Sequence, residues 1–298
     1  MNTFRILFLI TWCITFNNYA QKQPNIILMM ADDLGWGDTG YNGNDVILTP
    51  HLDQMAKDGI QFDRFYSASA VCSPTRASFL TGRNPYRTGV FSANRGILRP
   101  EETTISELLQ KEGYVTGHFG KWHLGTFTHT EKDANRGRPG NLKEYNPASL
   151  HGYDVVFATE SKVPTYNPMQ HPGGKPYGTS YWNEKNEKVT DNMNGDDSRV
   201  IMDRVIPFIK EANSKGKPFL AIVWFHAPHK PCVAGPKHLK LYEGQSESMK
   251  HYAGCITAMD EQIGRLRAEL KHIKADTNTI LTFCSDNGPE NGNPGITG

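Results

Sequence analysis

The sequence has no excess of charge of either sign. Lys and Arg number 32, Asp and Glu 31, and the formal net charge is +1. That balance provides neither a basic face for nucleic acid nor an acidic solvating tail. It also has no C-x-x-C pair. Its five cysteines, Cys13, Cys72, Cys232, Cys255 and Cys284, are too scattered for a zinc site and too few for a disulfide framework. One bridge among Cys232, Cys255 and Cys284 is left open, and spacing does not name the pair. No apolar run reaches the roughly 20 residues needed for a stable membrane span. The run from Ile6 to Phe16 comes nearest. It follows Arg5 and leads into Asn17-Asn18-Tyr19-Ala20, the order of a secretory signal. Residues 1–20 are therefore read as a signal peptide cleaved after Ala20, and the mature protein as periplasmic or secreted.

What is present suits a globular protein. Hydrophobic residues make up 38% and charged residues 21% of 298. Four short apolar runs read as strands: "NIILMMADD" (Asn25–Asp33), "YVTGHFGKWH" (Tyr114–His123), "FLAIVWFHAPH" (Phe219–His229) and "TILTFCSDN" (Thr279–Asn287). Three are almost continuously apolar, as parallel strands buried on both faces must be. Helical signals lie between them. Thr49-Pro50 offers an N-cap and an N1 proline. Thr104 and Glu107 fit a capping box. Ile201, Val205, Phe208, Ile209 and Ala212 share one helical face, with Pro207 expected to kink it. Tyr252, Ile256, Met259, Ile263, Leu266 and Leu270 keep three-and-four spacing. The alternation predicts an α/β fold with a mostly parallel central sheet sandwiched by helices. Residues 126–197, rich in Asn, Pro, Gly and Lys, read as a loop-rich insertion over the surface.

Each apolar run ends in polar groups. The first ends in Asp32-Asp33 and the second in Lys121 and His123. The third ends in His226 and His229, the fourth in Asp286-Asn287. Ligands of open α/β sheets bind beyond the carboxyl ends of strands. If these strands are parallel neighbours, the groups meet on one rim. Three carboxylates and an amide oxygen are hard ligands, suited to calcium or magnesium. Lys121 offers a positive charge to an anion, and the histidines can move protons near neutral pH. Taken singly, every one of these residues has a bland reading as turn, cap, solvated lysine or structural histidine. The weight comes from four strand ends with compatible chemistry.

"CSPTRASFLTGR", residues 72–83, adds a cysteine where an exported protein has little use for a free thiol. Pro74 can open a helix here, placing Cys72 at its positive N-terminus with Arg76 about one turn further on. A thiolate nucleophile fits that position, but no Cys–His pairing signature accompanies it.

Cys72-Ser73-Pro74-Thr75-Arg76 with its flank resembles the C-x-P-x-R signature of the type I, formylglycine-dependent sulfatases. "PNIILMMADDLGWGDTGYNGN", "GYVTGHFGKWHLG", "HAPHKP" and "SDNG" are similar to that family's patterns, in the family's order. The resemblance runs from Pro24 to the last residue and is weakest through the insertion. It implies the alkaline phosphatase-like sulfatase fold, with residues 21–298 as the N-terminal part of a catalytic domain. The family's smaller C-terminal antiparallel subdomain, and a further sulfate-binding lysine, would lie beyond the sequence.

Residue by residue, the resemblance implies that Asp32, Asp33, Asp286 and Asn287 hold Ca2+, or else Mg2+. Cys72, oxidised to formylglycine by a maturation enzyme, completes that shell and, as its hydrate, attacks sulfur. Arg76 steadies the hydrate, and Lys121 binds sulfate. His123 assists aldehyde recovery. His226 protonates the leaving oxygen, with His229, otherwise a substrate-binding residue, as the alternative acid. The implied activity is release of sulfate from a sulfated carbohydrate or aryl sulfate, as in polysaccharide-degrading members. A phosphate or phosphonate ester hydrolase and a non-catalytic binder of sulfated glycan are the alternatives.

Overall fold

The computed structural model describes residues 22–290; the signal peptide read over residues 1–20 lies outside them. In chain order the elements are β1 (Asn25–Ala31), α1 (Pro50–Asp58), α2 (Cys72–Thr81), α3 (Ile105–Lys111), β2 (Val115–Lys121), β3 (Val155–Thr159), β4 (Tyr181–Asn183), β5 (Lys188–Val189), α4 (Asp197–Ser214), β6 (Phe219–Trp224), α5 (Pro236–Lys240), α6 (Glu247–His272) and β7 (Thr279–Ser285). One sheet runs in the order β5-β4-β3-β2-β6-β1-β7. The strands from β3 to β7 along that order are parallel, and β4 and β5 extend the sheet antiparallel.

The four strands expected from the sequence, β1, β2, β6 and β7, are contiguous neighbours. Ile27 of β1 stands level with Ala221 of β6 and Leu281 of β7, so three strand ends finish together. Strand alternation sends side chains to two cores. Ile27, Met29, Phe119, Ala221 and Val223 pack with α4 and α6 on one face. Met30, Leu220, Ile222 and Trp224 pack with Ala77 and Leu80 of α2 on the other. Burial on both faces explains why β6 reads as an unbroken apolar run. β7 differs. Among the described residues it is an edge strand, and Ile280 is 50% exposed.

The helix signals meet mixed outcomes. Thr104 and Glu107 form the reciprocal capping box of α3. The six apolar positions of α6 are all buried. Thr49 precedes α1 without a side-chain cap; instead Asp260 of α6 accepts the N–H groups of His51 and Leu52. α4 continues through Pro207 to Ser214. The segment 126–197 is more than a surface loop. Its β3 lies inside the parallel sheet beside β2, and β4 and β5 carry the sheet outward. Val155–Thr159 is only five residues long and sits inside a Gly- and Asn-rich stretch, which left it unmarked in the sequence. Cys72, Cys232, Cys255 and Cys284 are free thiols, so no bridge joins them.

Gly120 shows how closely the strands meet beneath the site. Its φ is +100°, and a Cβ there would lie 1.9 Å from the carbonyl oxygen of Trp224. Left-handed backbone costs a non-glycine residue about 1–2 kcal/mol before any clash. Gly120→Ala is expected to lower the unfolding free energy by at least that amount in a urea titration; an unchanged midpoint would contradict the packing described.

Candidate active site

The parallel strands end on one rim, and helix α2 begins there. Asp32 and Asp33 follow β1, and Asp286 and Asn287 follow β7. Backbone hydrogen bonds stitch the rim: Asp32 N–H to Ala227 O at 3.1 Å, and Asp286 N–H to Ala31 O at 3.1 Å. Asp33 takes a left-handed backbone, φ +62°, and its N–H donates to Asp286 Oδ1 at 3.1 Å. The adjacent carboxylates therefore project differently, Asp32 toward Arg76 and Lys121 and Asp33 toward Cys72 and Asn287.

Two buried cations hold this acidic rim together. Arg76 Nη2 donates to Asp32 Oδ1 at 2.9 Å and Asp286 Oδ2 at 2.7 Å, with its guanidinium 4.9 Å above the Trp224 ring centre. Lys121 Nζ donates to both oxygens of Asp32, at 2.9 and 2.7 Å. All four groups are 0% exposed. Burial works against the charge of Asp32, but Lys121, His229 and Arg76 outweigh it and hold the carboxyl well below its usual range. Burial pushes Asp286 up to about 7 although Arg76 opposes it, and Asp33 is pushed up by burial and then by Asp32.

Cys72 opens α2 rather than preceding it, with Pro74 at the third helical position. Its thiol lies 3.9 Å from Asp33 Oδ1. Burial pushes the thiol up, and Asp32 and Asp286 add to the shift while Lys121 and Arg76 oppose it. A thiol so held is neutral at physiological pH and a poor nucleophile. Ser73 Oγ donates to the His123 carbonyl at 2.7 Å, tying the start of α2 to the end of β2.

The donor set fits a hard cation. Single ligand atoms of Asp32, Cys72 and Asp286, and separately of Asp33, Cys72 and His229, lie within 4.8 Å of one another. Asn287 Nδ2 donates to Asp33 Oδ1 and to Gly288 O. Its Oδ1 is buried with no partner among the described residues, an oxygen placed as a ligand would be. Three carboxylates and this amide oxygen match calcium or magnesium.

The histidines part company. His226, expected as the proton donor, is wholly buried below the rim. Its Nδ1 pairs with Asp197 Oδ2 at 2.8 Å and its Nε2 with Thr159 Oγ1 at 2.8 Å. Both ring nitrogens are thus committed to Asp197 and Thr159 rather than to the rim groups. His229 is the histidine of this pair that reaches the rim. Its Nδ1 donates to Lys230 O at 2.7 Å, and its Nε2 stands 3.4 Å from Asp33 Oδ2. Burial holds it below the usual imidazole range, with Asp32 and Asp33 pulling the other way. His123 adopts φ +58° and pairs Nε2 with Asn94 Oδ1 at 2.6 Å.

The structure thus brings Asp32, Asp33, Cys72, Arg76, Lys121, His229, Asp286 and Asn287 together, with His123 alongside, and leaves His226 out. Sequence reasoning missed Asn94, Thr159 and Asp197. Asn94 lies in an ordinary-looking turn, "SANRG", and Thr159 and Asp197 meet His226 only through the fold.

The sulfatase family model matches residues 24–297. Mouse arylsulfatase G is 34% identical over 293 residues, covering 90% of this chain and 52% of its own length. N-acetylgalactosamine-6-sulfatase of the dog is 31% identical, with 90% and 51% covered. The solved structure of Ps i-CgsB in complex with k-i-k-neocarrahexaose superposes with a TM-score of 0.77 at 28% identity, over 92% of this chain and 61% of that one. The chain therefore spans about half the length of the curated relatives it matches. On this evidence the chain belongs to the sulfatase family.

Proposed function

We propose that the protein carrying this chain is an exported sulfuric ester hydrolase that releases sulfate from a sulfated carbohydrate. The observation that carries this is the meeting of Asp32, Asp33, Cys72, Arg76, Lys121, Asp286 and Asn287 at one buried rim. Family membership supports a sulfate ester, and the alternatives of a phosphate ester or a binder have no comparable support among these relatives. The carbohydrate rests on two names: one relative is an N-acetylgalactosamine sulfatase, and one solved structure holds a neocarrahexaose. Export rests on the signal read in residues 1–20; among the described residues no helix is long and apolar enough to cross a membrane.

Asp32, Asp33, Asp286 and Asn287 would hold the cation, calcium with magnesium as the alternative, which supplies polarisation of a sulfate oxygen when bound. Residue 72, its CH2SH oxidised to an aldehyde by a maturation enzyme, supplies a hydroxyl nucleophile as the hydrate. The remaining work falls to the chain's own side chains. Lys121, pinned by Asp32, presents charge to the sulfate in a site from which water is excluded. Arg76 holds Asp32 and Asp286 at fixed separation beside residue 72. His229, with Nδ1–H fixed on Lys230 O, acts as the acid in its doubly protonated form, which burial opposes and Asp32 and Asp33 favour, and passes the Nε2 proton to the departing alcohol oxygen. His123 accepts a proton as the aldehyde re-forms and sulfate leaves.

The test is sulfate release from sulfated sugars and an aryl sulfate by the protein coexpressed with a maturation enzyme. Mass spectrometry of the residue 72 peptide should show the aldehyde. No release with the aldehyde present would overturn the reading. His229→Ala should cut kcat by about 10²–10⁴-fold, the usual worth of a general acid. His226→Ala should instead lower the melting temperature, since it leaves the buried Asp197 Oδ2 without its imidazole partner. Equal kinetic losses without unfolding in both would contradict this assignment. Calcium at about 100-fold its Kd should stabilise chelator-treated protein by about 2.7 kcal/mol; an unmoved melting temperature counts against a resident cation.

A further inference from the structure

We infer that Asn94 is a positioning residue for His123, fixing which ring nitrogen carries the proton; the inference rests on the sulfatase reading above for its kinetic consequence.

His123 leaves β2 in a left-handed conformation, so its ring needs an external hold. Asn94, also left-handed at φ +61°, supplies one: Nε2 lies 2.6 Å from Asn94 Oδ1. The same oxygen accepts from Asn135 Nδ2 at 2.8 Å. Asn135 Nδ2 also donates to Ser161 Oγ at 3.0 Å. The Asn94 amide presents its oxygen to both Asn135 Nδ2 and the ring, so His123 donates in this arrangement. That commits the ring to the Nε2–H form. Its Nδ1 is then the basic atom, and this nitrogen is buried without a partner among the described residues.

The brace is itself anchored. Glu160 is 0% exposed, and its backbone oxygen accepts the His123 N–H at 3.0 Å. Its carboxylate accepts the Asn135 N–H at 2.8 Å and pairs with Arg136 Nη1 at 2.6 Å. Arg136 Nη2 donates in turn to Gly96 O at 3.2 Å, which holds the Asn94 turn. One buried residue thus fixes both the histidine backbone and the loop that carries its partner. Partners of this kind set a histidine's tautomer as well as its angle. In the proposed reaction the proton of the second hydrate hydroxyl passes to Nδ1. The carbon–oxygen bond to sulfate then breaks, its electron pair leaves with sulfate, and the C=O of the aldehyde forms.

The experiment combines 15N NMR of the His123 ring with steady-state kinetics on an aryl sulfate, using the protein that carries the full chain. The wild-type ring should show Nε2 protonated and Nδ1 bare. Asn94→Ala should blur that pattern and lower kcat by about 10–100-fold, on the scale of losses for hydrogen-bond partners of metal-binding histidines, with KM little changed. Asn94→Asp, which keeps an acceptor oxygen, should restore both. Asn94 is exposed, so the substitutions should leave folding intact. A protonated Nδ1 in the wild type overturns the inference whatever the variants do. So does an Asn94→Ala protein with unchanged ring signals, or an Asn94→Asp protein no better than Asn94→Ala. An inactive wild type with the expected ring pattern would instead indict the sulfatase reading.

Discussion

The structure depends on packing three carboxylates together at the buried ends of neighbouring strands. Asp32, Asp33 and Asp286 crowd the rim, and among the described residues the buried cations that reach it are Arg76 and Lys121, each gripping Asp32. Buried ion pairs of this kind are weak sources of stability, because desolvation consumes most of the attraction. Their value lies in geometry. Arg76 bridges strands β1 and β7 from helix α2, so three elements share one register. Two cations paired with three carboxylates leave the rim no free positive charge to offer an oxyanion. A divalent cation would supply that charge, turning the rim into a site that holds oxyanions.

That logic explains why the site is built from strand ends. The parallel sheet delivers Asp32, Lys121 and Asp286 to one level because β1, β2, β6 and β7 stand side by side. The start of α2 brings Cys72 to the same place with its first-turn N–H groups, and Ser73 ties it to His123. The sheet's close approach at Gly120 is part of this arrangement, since a larger residue would push Lys121 away from Asp32.

Much of this was legible in the sequence because it rests on local pattern. Unbroken apolar runs marked β1 and β6, helical spacing marked α6, and the polar pairs at strand ends marked the rim. What escaped depends on contacts between distant segments. β3 is five residues long inside a Gly- and Asn-rich stretch, and only its pairing with β2 makes it a strand. His226 and His229 are three residues apart and equivalent by composition. Only Asp197 and Thr159, brought in from α4 and β3, turn His226 into the core and leave His229 to the site. Asn94 carries no pattern at all; its partner is 29 residues away.

The central claim is that one cation and one side chain, at residue 72, share a single cradle. Crystals of the protein soaked in calcium, with anomalous scattering recorded, test it most directly. The account predicts one strong peak at about 2.3–2.6 Å from oxygens of Asp32, Asp33, Asp286 and Asn287, beside residue 72. A peak elsewhere on the molecule, or an ordered rim that binds no calcium at all, would contradict it.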